Sequence, residues 1–291
     1  MRIAIVGLGG VGAYIGVKLC TLKDEHEIIF IARGEHLKAI EKDGLRIIDV
    51  DNEETYHPTS VQETISDHLD IVFLCTKTYH SKEALAQLGS AISEQTLVIP
   101  VANGVSSREE LQPLTNAQVT DACVYIVSHK VSAGVIKKAT DTFALRLSED
   151  VQDLLEPLVH RAGLRCKFSD DIKKELWKKF LFISAMGSLT SYHQVGMGTI
   201  YKEHKEELTS LLNEIFSVAK AEEINIESKE IDKALHTASK LPKDAPTSLW
   251  LDIKSEGLNE LETLCGYIVK RAKKYKLQTP LMQKIYNELN T

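Results

Sequence analysis

The sequence lacks the features of a disulfide-stapled, zinc-binding or membrane-spanning protein. Its five cysteines are odd in number, lie far apart and form no CxxC or Cys/His spacing: Cys20, Cys75, Cys123, Cys166 and Cys265. This distribution argues against a disulfide framework and predicts no metal site. No apolar run approaches the roughly 20 residues needed to span a bilayer, and the start, MRIAIVGLGG, has no secretory-signal pattern. We therefore expect a cytoplasmic protein with no membrane segment.

An excess of positive charge is also missing. The chain has 35 Lys and Arg against 41 Asp and Glu, a net charge of −6, and its basic clusters fall on helical patterns where solvated side chains are ordinary. This composition excludes the electrostatic footprint of a nucleic-acid-binding protein and favours a small-molecule ligand. At 291 residues, two domains with ordinary cores are the natural expectation.

The first part of the chain alternates short β-branched runs with helical segments. RIAIV, EIIFIA, DIVFLC and TLVIPV predict strands of a parallel sheet, and polar residues follow their C-terminal ends, where open α/β sheets bind ligands. The runs ACVYIVS and FALRLS predict two more strands, interpreted as an antiparallel edge added to that sheet. The α/β pattern ends near residue 167.

Beyond residue 170 the strand signal disappears. Amphipathic patterns predict helices over about 171–191, 202–222, 229–240 and 258–274, and a further helix beginning near Ser248 after the loop LPKDAPTS. We therefore predict an N-terminal α/β domain of residues 1–167 and an all-α C-terminal domain of residues 168–291, with the active site in the cleft between them.

A glycine motif directly follows the first predicted strand. It has the form G-x-G-x-x-G and opens a helix, and its members are Gly7, Leu8, Gly9, Gly10, Val11 and Gly12. The glycines allow a tight turn, close approach of a pyrophosphate and close packing of helix on strand. In this context the motif predicts a Rossmann dinucleotide-binding domain with these six residues at the cofactor; the alternative is a glycine-rich turn without a ligand.

The end of the second strand points to NADP(H). NAD-binding proteins usually carry an acidic residue there, whereas this chain has Arg33. A guanidinium binds a 2′-phosphate by charge-assisted hydrogen bonds, and a carboxylate would repel it. The alternative is a solvated surface arginine.

Several segments, in order, carry a resemblance to one family. Besides GLGGVG and ARG they are EHLKAIEKDGLRI, FLCTKTYHSKEAL, PVANGVSSREEL, DIKKELWKKF, PTSLWLDIKSEGLNELETLCGYIVKRAKKYKL and TPLMQKIYNEL. Together they span nearly the whole chain, which resembles ketopantoate reductase (2-dehydropantoate 2-reductase). The resemblance implies NADPH-dependent reduction of ketopantoate to pantoate, a step of pantothenate biosynthesis, and a homodimer is compatible with the sequence.

The resemblance also implies roles for individual residues. Lys77 and Asn103 would lie near the nicotinamide half of the cofactor, and Asn103 would also contact substrate. Lys179 matches the catalytic lysine, which can protonate the alkoxide formed by hydride transfer. Glu260 matches a catalytic, substrate-binding glutamate, Ser248 a substrate-binding serine, and Asp252 also falls on the pattern. By themselves, these residues would be interpreted as surface lysines, an Asn-Gly turn and a charge at a helix start.

At three positions the chain departs from the family. Ile183, Gly187 and Met197 stand where ketopantoate reductases have asparagines. Because residues four apart share a helix face, Lys179, Ile183 and Gly187 predict a wall that is more apolar and roomier than in the typical enzyme. Ser184 or Ser188 could replace the amides only if the helix were rotated. Two alternatives thus stay open: a reductase of a more apolar 2-oxo acid, and a non-catalytic NADP-binding regulatory protein.

Overall fold

A computed structural model describes residues 1–290, which form two compact units. The first comprises Met1–Ala102 and Ser106–Ile172, and the second comprises Asn103–Val105 and the residues from Lys173 onward. No helix among the described residues is long and apolar enough to cross a membrane.

The first unit is α/β. Its elements, in chain order, are β1 (Arg2–Val6), α1 (Gly10–Leu19), β2 (Glu27–Ile31), α2 (Gly34–Asp43), β3 (Leu45–Ile48), β4 (Glu53–Tyr56), β5 (Ser60–Gln62), β6 (Ile71–Leu74), α3 (Thr78–Leu88), β7 (Leu97–Pro100), α4 (Ser107–Leu111), β8 (Gln118–Val119), β9 (Ala122–Ser132), β10 (Val135–Ser148), α5 (Gln152–Arg161) and β11 (Cys166–Ser169). The four strands predicted to be parallel are β1, β2, β6 and β7, and all are confirmed.

The main sheet is parallel, with strand order β5-β2-β1-β6-β7-β8. Counted along the chain, this is the 3-2-1-4-5-6 order of a Rossmann fold, so the predicted fold class is confirmed. Both faces of β1 are buried, as a parallel sheet requires: Ile3 and Ile5 contribute to one apolar core, and Ala4 and Val6 to the other.

The predicted antiparallel edge is wrong. Strands β9 and β10 pair with each other in a second sheet of order β11-β10-β3-β4, with β9 on the other side of β10. The buried residues lie in the first half of β9 and the second half of β10, and these halves pack on α1. The ring of Tyr14, on α1, lies 4.7 Å from that of Phe143, on β10. The hairpin therefore buries the outer face of α1 instead of extending the main sheet.

The second unit is helical, as predicted. Its helices are α6 (Ile172–His193), α7 (Met197–Glu203), α8 (Lys205–Ala221), α9 (Lys229–Ser239), α10 (Ser248–Lys254), α11 (Tyr267–Tyr275) and α12 (Pro280–Leu289). The helix predicted over 202–222 is divided at His204, and the one predicted from residue 258 begins at Leu261 with a π-helical turn, Glu262–Gly266, before α11. π-Helical turns are rare and frequently lie at functional sites.

Candidate active site

The glycine-rich turn connects β1 to α1. Gly7 has a φ of +91°, and a Cβ there would come within 2.9 Å of the Thr76 backbone nitrogen. A Cβ on Gly12 would run into the carbonyl oxygen of Gly7, so this glycine lets the helix start directly against the turn. Gly9, in contrast, has nothing within 4 Å of the position a Cβ would take. The turn thus leaves open space at the position that the motif assigns to a pyrophosphate.

A pocket of about 380 Å³ opens beside this turn, entirely within the first unit. It is bounded by the ends of β1 and β2, by α3 and by β9. Its lining includes four residues expected at a dinucleotide, namely Gly7, Leu8, Gly9 and Arg33. Further polar and basic side chains also line it: His36, Thr76, His80, Gln87 and Lys130.

The residues of this pocket fit the phosphates of a dinucleotide. The hydroxyl oxygen of Ser128, on β9, is buried without a hydrogen-bond partner and lies against Gly10, the first residue of α1. Helix N-termini leave backbone N–H groups for anions, and an orphaned hydroxyl beside them is a ready donor. Cofactor binding by Gly7 to Gly12 remains a proposal, and the open space at Gly9 is compatible with it.

Arg33 lines this pocket but is already paired. It precedes α2 as its N-cap residue, and its guanidinium lies 3.3 Å from the Glu83 carboxylate and donates to the side-chain oxygen of Gln87. The side chains of Arg33 and Glu83 are both about half exposed. Lys77, also predicted at the cofactor, is the N-cap residue of α3 and half-buried.

His36 links the glycine-rich turn to the β9–β10 hairpin. Its Nδ1 accepts a hydrogen bond from the backbone N–H of Gly134 at 2.9 Å, so Nε2 carries the proton and donates to the Leu8 carbonyl at 2.8 Å. Burial lowers the pKa of His36, and the nearby charge of Lys130 lowers it further. The neutral ring thus holds two backbone segments that bound the pocket.

In the second unit, three predicted residues form a hydrogen-bonded chain. Lys179 Nζ, on α6, donates to Asn103 Oδ1 at 3.0 Å, and Asn103 Nδ2 donates to Glu260 Oε2 at 3.0 Å. An ammonium can only donate and a carboxylate can only accept, so this pairing determines which way the amide points. Glu260 is only 2% exposed, so its side chain depends on hydrogen bonds such as the one from Asn103 Nδ2.

Local structure explains how this chain forms although its members are far apart in sequence. Asn103 belongs to the short segment Asn103–Val105, in which Gly104 has a φ of +98° and Val105 packs against the apolar core of the helical unit. Glu260 lies immediately before Leu261, where the π-helical turn's helix begins. The rings of Trp177 and Phe180 pack edge to face on α6 beside the lysine.

Ser248 is not part of this hydrogen-bonded chain. Ser248 is exposed at the first position of α10, where Thr247 is the capping residue, and within residues 1–290 it has no hydrogen bond to Lys179, Asn103 or Glu260. Asp252 is half-buried on the same helix. The substrate-binding role of Ser248 therefore stays a prediction.

The expectation of a roomier wall is wrong at Gly187. A Cβ there would touch Leu249 and Leu264, each at 3.5 Å, because leucines from α10 and the π-helical turn fill the space beside it. Ile183 and Met197 are half-buried against the same apolar core. The apolar character expected at these positions is present, but the extra room is not.

Ser184 and Ser188, on α6, form hydrogen bonds inside the core of the helical unit. The hydroxyl of Ser184 donates to the Leu264 carbonyl at 2.9 Å, and that of Ser188 donates to the Ser184 carbonyl at 2.6 Å. Both side chains are fully buried. They therefore support the π-helical turn and do not replace the absent asparagines.

Sequence reasoning missed His36 and Lys130, which line the pocket, and Ser128, which lies against Gly10 of the glycine-rich turn. It interpreted β9 as part of an antiparallel edge of the main sheet. One signal was present, since Ser128 and Lys130 are polar side chains two residues apart after an apolar run, and such residues point to the same side of a strand.

Comparison with known proteins identifies the family. The model described as "Ketopantoate reductase PanE/ApbA" matches residues 3–149, and that described as "Ketopantoate reductase PanE/ApbA C terminal" matches residues 171–291. The chain belongs to the ketopantoate reductase family. This membership makes it an oxidoreductase acting on a CH–OH/C=O pair.

Relatives within the ketopantoate reductase family match over nearly their whole lengths. The uncharacterized oxidoreductase YkpB of Bacillus subtilis is 24% identical, with 99% of this chain and 98% of the relative covered. The 2-dehydropantoate 2-reductase of Lactococcus lactis is 26% identical, with 96% and 94% covered. The crystal structure of 2-dehydropantoate 2-reductase from Porphyromonas gingivalis superimposes with a TM-score of 0.87 at 29% identity, over 100% of this chain and 99% of that one.

Proposed function

We propose that this protein uses NADPH to reduce a 2-oxo acid to the 2-hydroxy acid, with ketopantoate as the first candidate substrate. The observation that carries the proposal is the hydrogen-bonded chain of Lys179, Asn103 and Glu260. It presents a lysine ammonium that is held in one orientation by an amide, which is itself held by a buried carboxylate. Membership of the ketopantoate reductase family supports the same reaction class.

In this proposal, the hydrogen-bonded chain of Lys179, Asn103 and Glu260 provides the proton for the reaction. When bound, NADPH would supply the hydride for the C2 carbonyl carbon of the 2-oxo acid. Negative charge then develops on the carbonyl oxygen, and Lys179 donates a proton from Nζ to it, which gives the hydroxyl of the product. Solvent returns the proton to the neutral amine. An oriented general acid of this kind contributes typically about 10²–10⁴-fold in rate.

Asn103 and Glu260 act as positioning residues for this step in the proposal. Asn103 accepts from the ammonium and so restricts the rotamers of a flexible side chain, which lowers the entropy cost of reaching the reactive geometry. Glu260 fixes the amide by accepting a hydrogen bond from Asn103 Nδ2 at 3.0 Å. A carboxylate can also accept a hydrogen bond from a substrate hydroxyl.

The test is NADPH oxidation with a panel of 2-oxo acids, with chromatographic identification of the product. We expect NADPH consumption and formation of the 2-hydroxy acid in equal amounts with at least one of them. NADPH binding without turnover on any 2-oxo acid would instead support the regulatory alternative and overturn the enzymatic proposal.

A second candidate substrate is a more apolar 2-oxo acid such as 2-oxoisovalerate. The observation that favours it is the half-buried Ile183, one helical turn after Lys179, where an amide would bind a polar substituent. Ile183→Asn should raise the specificity for ketopantoate over 2-oxoisovalerate by about 2–10-fold, the worth of one neutral hydrogen bond. Ile183→Leu is the matched control.

The measurement is kcat/KM for both acids in the three proteins. Gly187 is left unchanged, because Leu249 and Leu264 occupy the space that an asparagine would need. If the wild type already favoured ketopantoate by about 10³-fold and Ile183→Asn added nothing, the second candidate would be rejected.

A further inference from the structure

We infer that Lys130, on β9, is a second cation for the 2′-phosphate of the cofactor and supplies the uncompensated positive charge of that site. The inference rests on the proposed function, since it takes NADPH to bind in the pocket of the first unit. It adds to the site a residue from the second sheet, 97 positions beyond Arg33 in sequence.

The charge of Arg33 is already compensated in the pocket. Its guanidinium forms an ion pair with Glu83 and a hydrogen bond with Gln87, and the Glu63 carboxylate also lines the pocket. His36 adds no charge, because its Nδ1 accepts a hydrogen bond and the ring is therefore neutral. Without Lys130, the pocket lining would hold one arginine, already paired with Glu83, and the Glu63 carboxylate.

Lys130 has no such partner. Within residues 1–290 no carboxylate lies within ion-pair distance of its ammonium, whereas Lys138, on the neighbouring strand, is bonded to Asp49 at 2.9 Å. Lys130 lines the pocket, where an unpaired ammonium attracts a phosphate strongly. Lysine binds phosphate as a point charge, so the direction of the contact is not strictly defined. The charge that remains available for the cofactor is that of Lys130.

The backbone that carries Lys130 is fixed against the pocket. Lys130 pairs across the hairpin with Ile136, which is 1% exposed. At the hairpin turn, Gly134 donates to His36 Nδ1 at 2.9 Å and accepts from the Arg46 N–H at 2.9 Å. Ser128, two residues before Lys130 and therefore on the same face of β9, lies against Gly10 of the phosphate-binding turn. This face of the hairpin is thus directed at the pocket.

The experiment compares two nucleotides that differ only in the 2′-phosphate, adenosine 2′,5′-bisphosphate and 5′-AMP. Their dissociation constants are measured by isothermal titration calorimetry at low salt for the wild type, Lys130→Gln and Lys137→Gln. Lys137 is the matched control, because it is exposed on the same hairpin and pairs with His129, whose side chain points to the other face.

We expect Lys130→Gln to weaken the binding of the bisphosphate by at least about fivefold and to change the affinity for AMP by less than about twofold. The reason is that a lost charge-assisted contact affects only the nucleotide whose phosphate makes it. Lys137→Gln should change neither. Equal losses for both nucleotides, or a loss no larger than in Lys137→Gln, would overturn the inference and leave the proposed reaction standing. If the wild type bound the bisphosphate no better than AMP, the NADPH assignment itself would fail.

Discussion

At the scale of single residues, the proposed preference for NADPH depends on the side chains around one phosphate. Arg33 stands where an acidic residue would bind the ribose hydroxyls of NAD. We expect NADPH to bind at least about tenfold more tightly than NADH at low salt, because one charge-assisted hydrogen bond is worth about 1.5–3 kcal/mol. Arg33→Asp should remove or reverse the preference, since it would place a second carboxylate beside Glu83.

Fluorescence titration of both cofactors checks this, because the reduced nicotinamide reports binding without turnover. Glu83→Gln is the complementary variant: it removes the carboxylate that competes with phosphate for Arg33, so NADPH affinity should rise modestly while NADH affinity stays the same. Exposed ion pairs contribute little, and the expected gain is therefore only about twofold to fivefold. Equal wild-type affinities for NADPH and NADH would contradict the assignment.

At the scale of elements, two glycines of the glycine-rich turn are expected to have different roles, Gly12 in folding and Gly9 in cofactor binding. Gly9→Ala should fold normally, since Gly9 has a φ of −75° and nothing lies within 4 Å of the added Cβ. The substitution should weaken NADPH binding by at least about fivefold, because the added methyl group fills the space proposed for the pyrophosphate. Gly12→Ala should destabilise the protein by about 1–3 kcal/mol, because its Cβ overlaps the Gly7 carbonyl.

Thermal unfolding of the protein without cofactor and NADPH titration distinguish the two variants. The expected pattern is a wild-type melting temperature with weakened binding for Gly9→Ala, and a lowered melting temperature for Gly12→Ala. A Gly9→Ala protein that is stable and binds NADPH as the wild type does would show that the pyrophosphate does not approach this turn.

The link between α2, the glycine-rich turn and the β9–β10 hairpin should make stability depend on pH. The pKa of His36 is lowered in the folded protein, chiefly by burial, so the unfolded chain binds the extra proton more readily. The contribution of His36 is therefore complete above the unfolded pKa of about 6.5 and is lost as pH falls through the lowered folded pKa. Protonation also removes the acceptor for the Gly134 N–H.

Chemical denaturation between pH 7.5 and about pH 5 tests this window. His36→Gln keeps an oxygen acceptor and an N–H donor but cannot titrate, so its stability should fall less steeply with decreasing pH than that of the wild type. Identical pH profiles for the two proteins would show that the ring does not form this link in its neutral state.

At the scale of the whole molecule, the sequence predicted the regular parts of the fold. Buried parallel strands read as continuous apolar runs and the long helices as amphipathic patterns, so β1, β2, β6, β7 and α6 were predictable. The second sheet was not, because β4 is the polar and exposed segment EETY and its partner β3 has only four residues. Their pairing is decided by tertiary contacts that no local pattern carries.

The candidate site shows the same division. Lys179, Asn103 and Glu260 were predicted from the family resemblance, but their joining into one hydrogen-bonded chain depends on Asn103–Val105 packing with helices more than 70 residues further along the chain. The filled space beside Gly187 was unpredictable for a similar reason, since Leu249 and Leu264 come from other elements. Sequence spacing places residues on one helix face but does not reveal what packs against it.

The most direct test of the account compares Lys179→Ala with Lys178→Ala, two neighbouring lysines of one helix. Lys178 forms an ion pair with Glu175 at 2.6 Å and is not a member of the hydrogen-bonded chain of Lys179, Asn103 and Glu260. Steady-state rates of 2-oxo acid reduction and NADPH dissociation constants are measured for both variants. We predict that Lys179→Ala lowers kcat at least about 10²-fold with NADPH affinity nearly unchanged, and that Lys178→Ala has little effect. Equal and mild effects of the two substitutions on turnover would contradict the assignment of Lys179 as the proton donor.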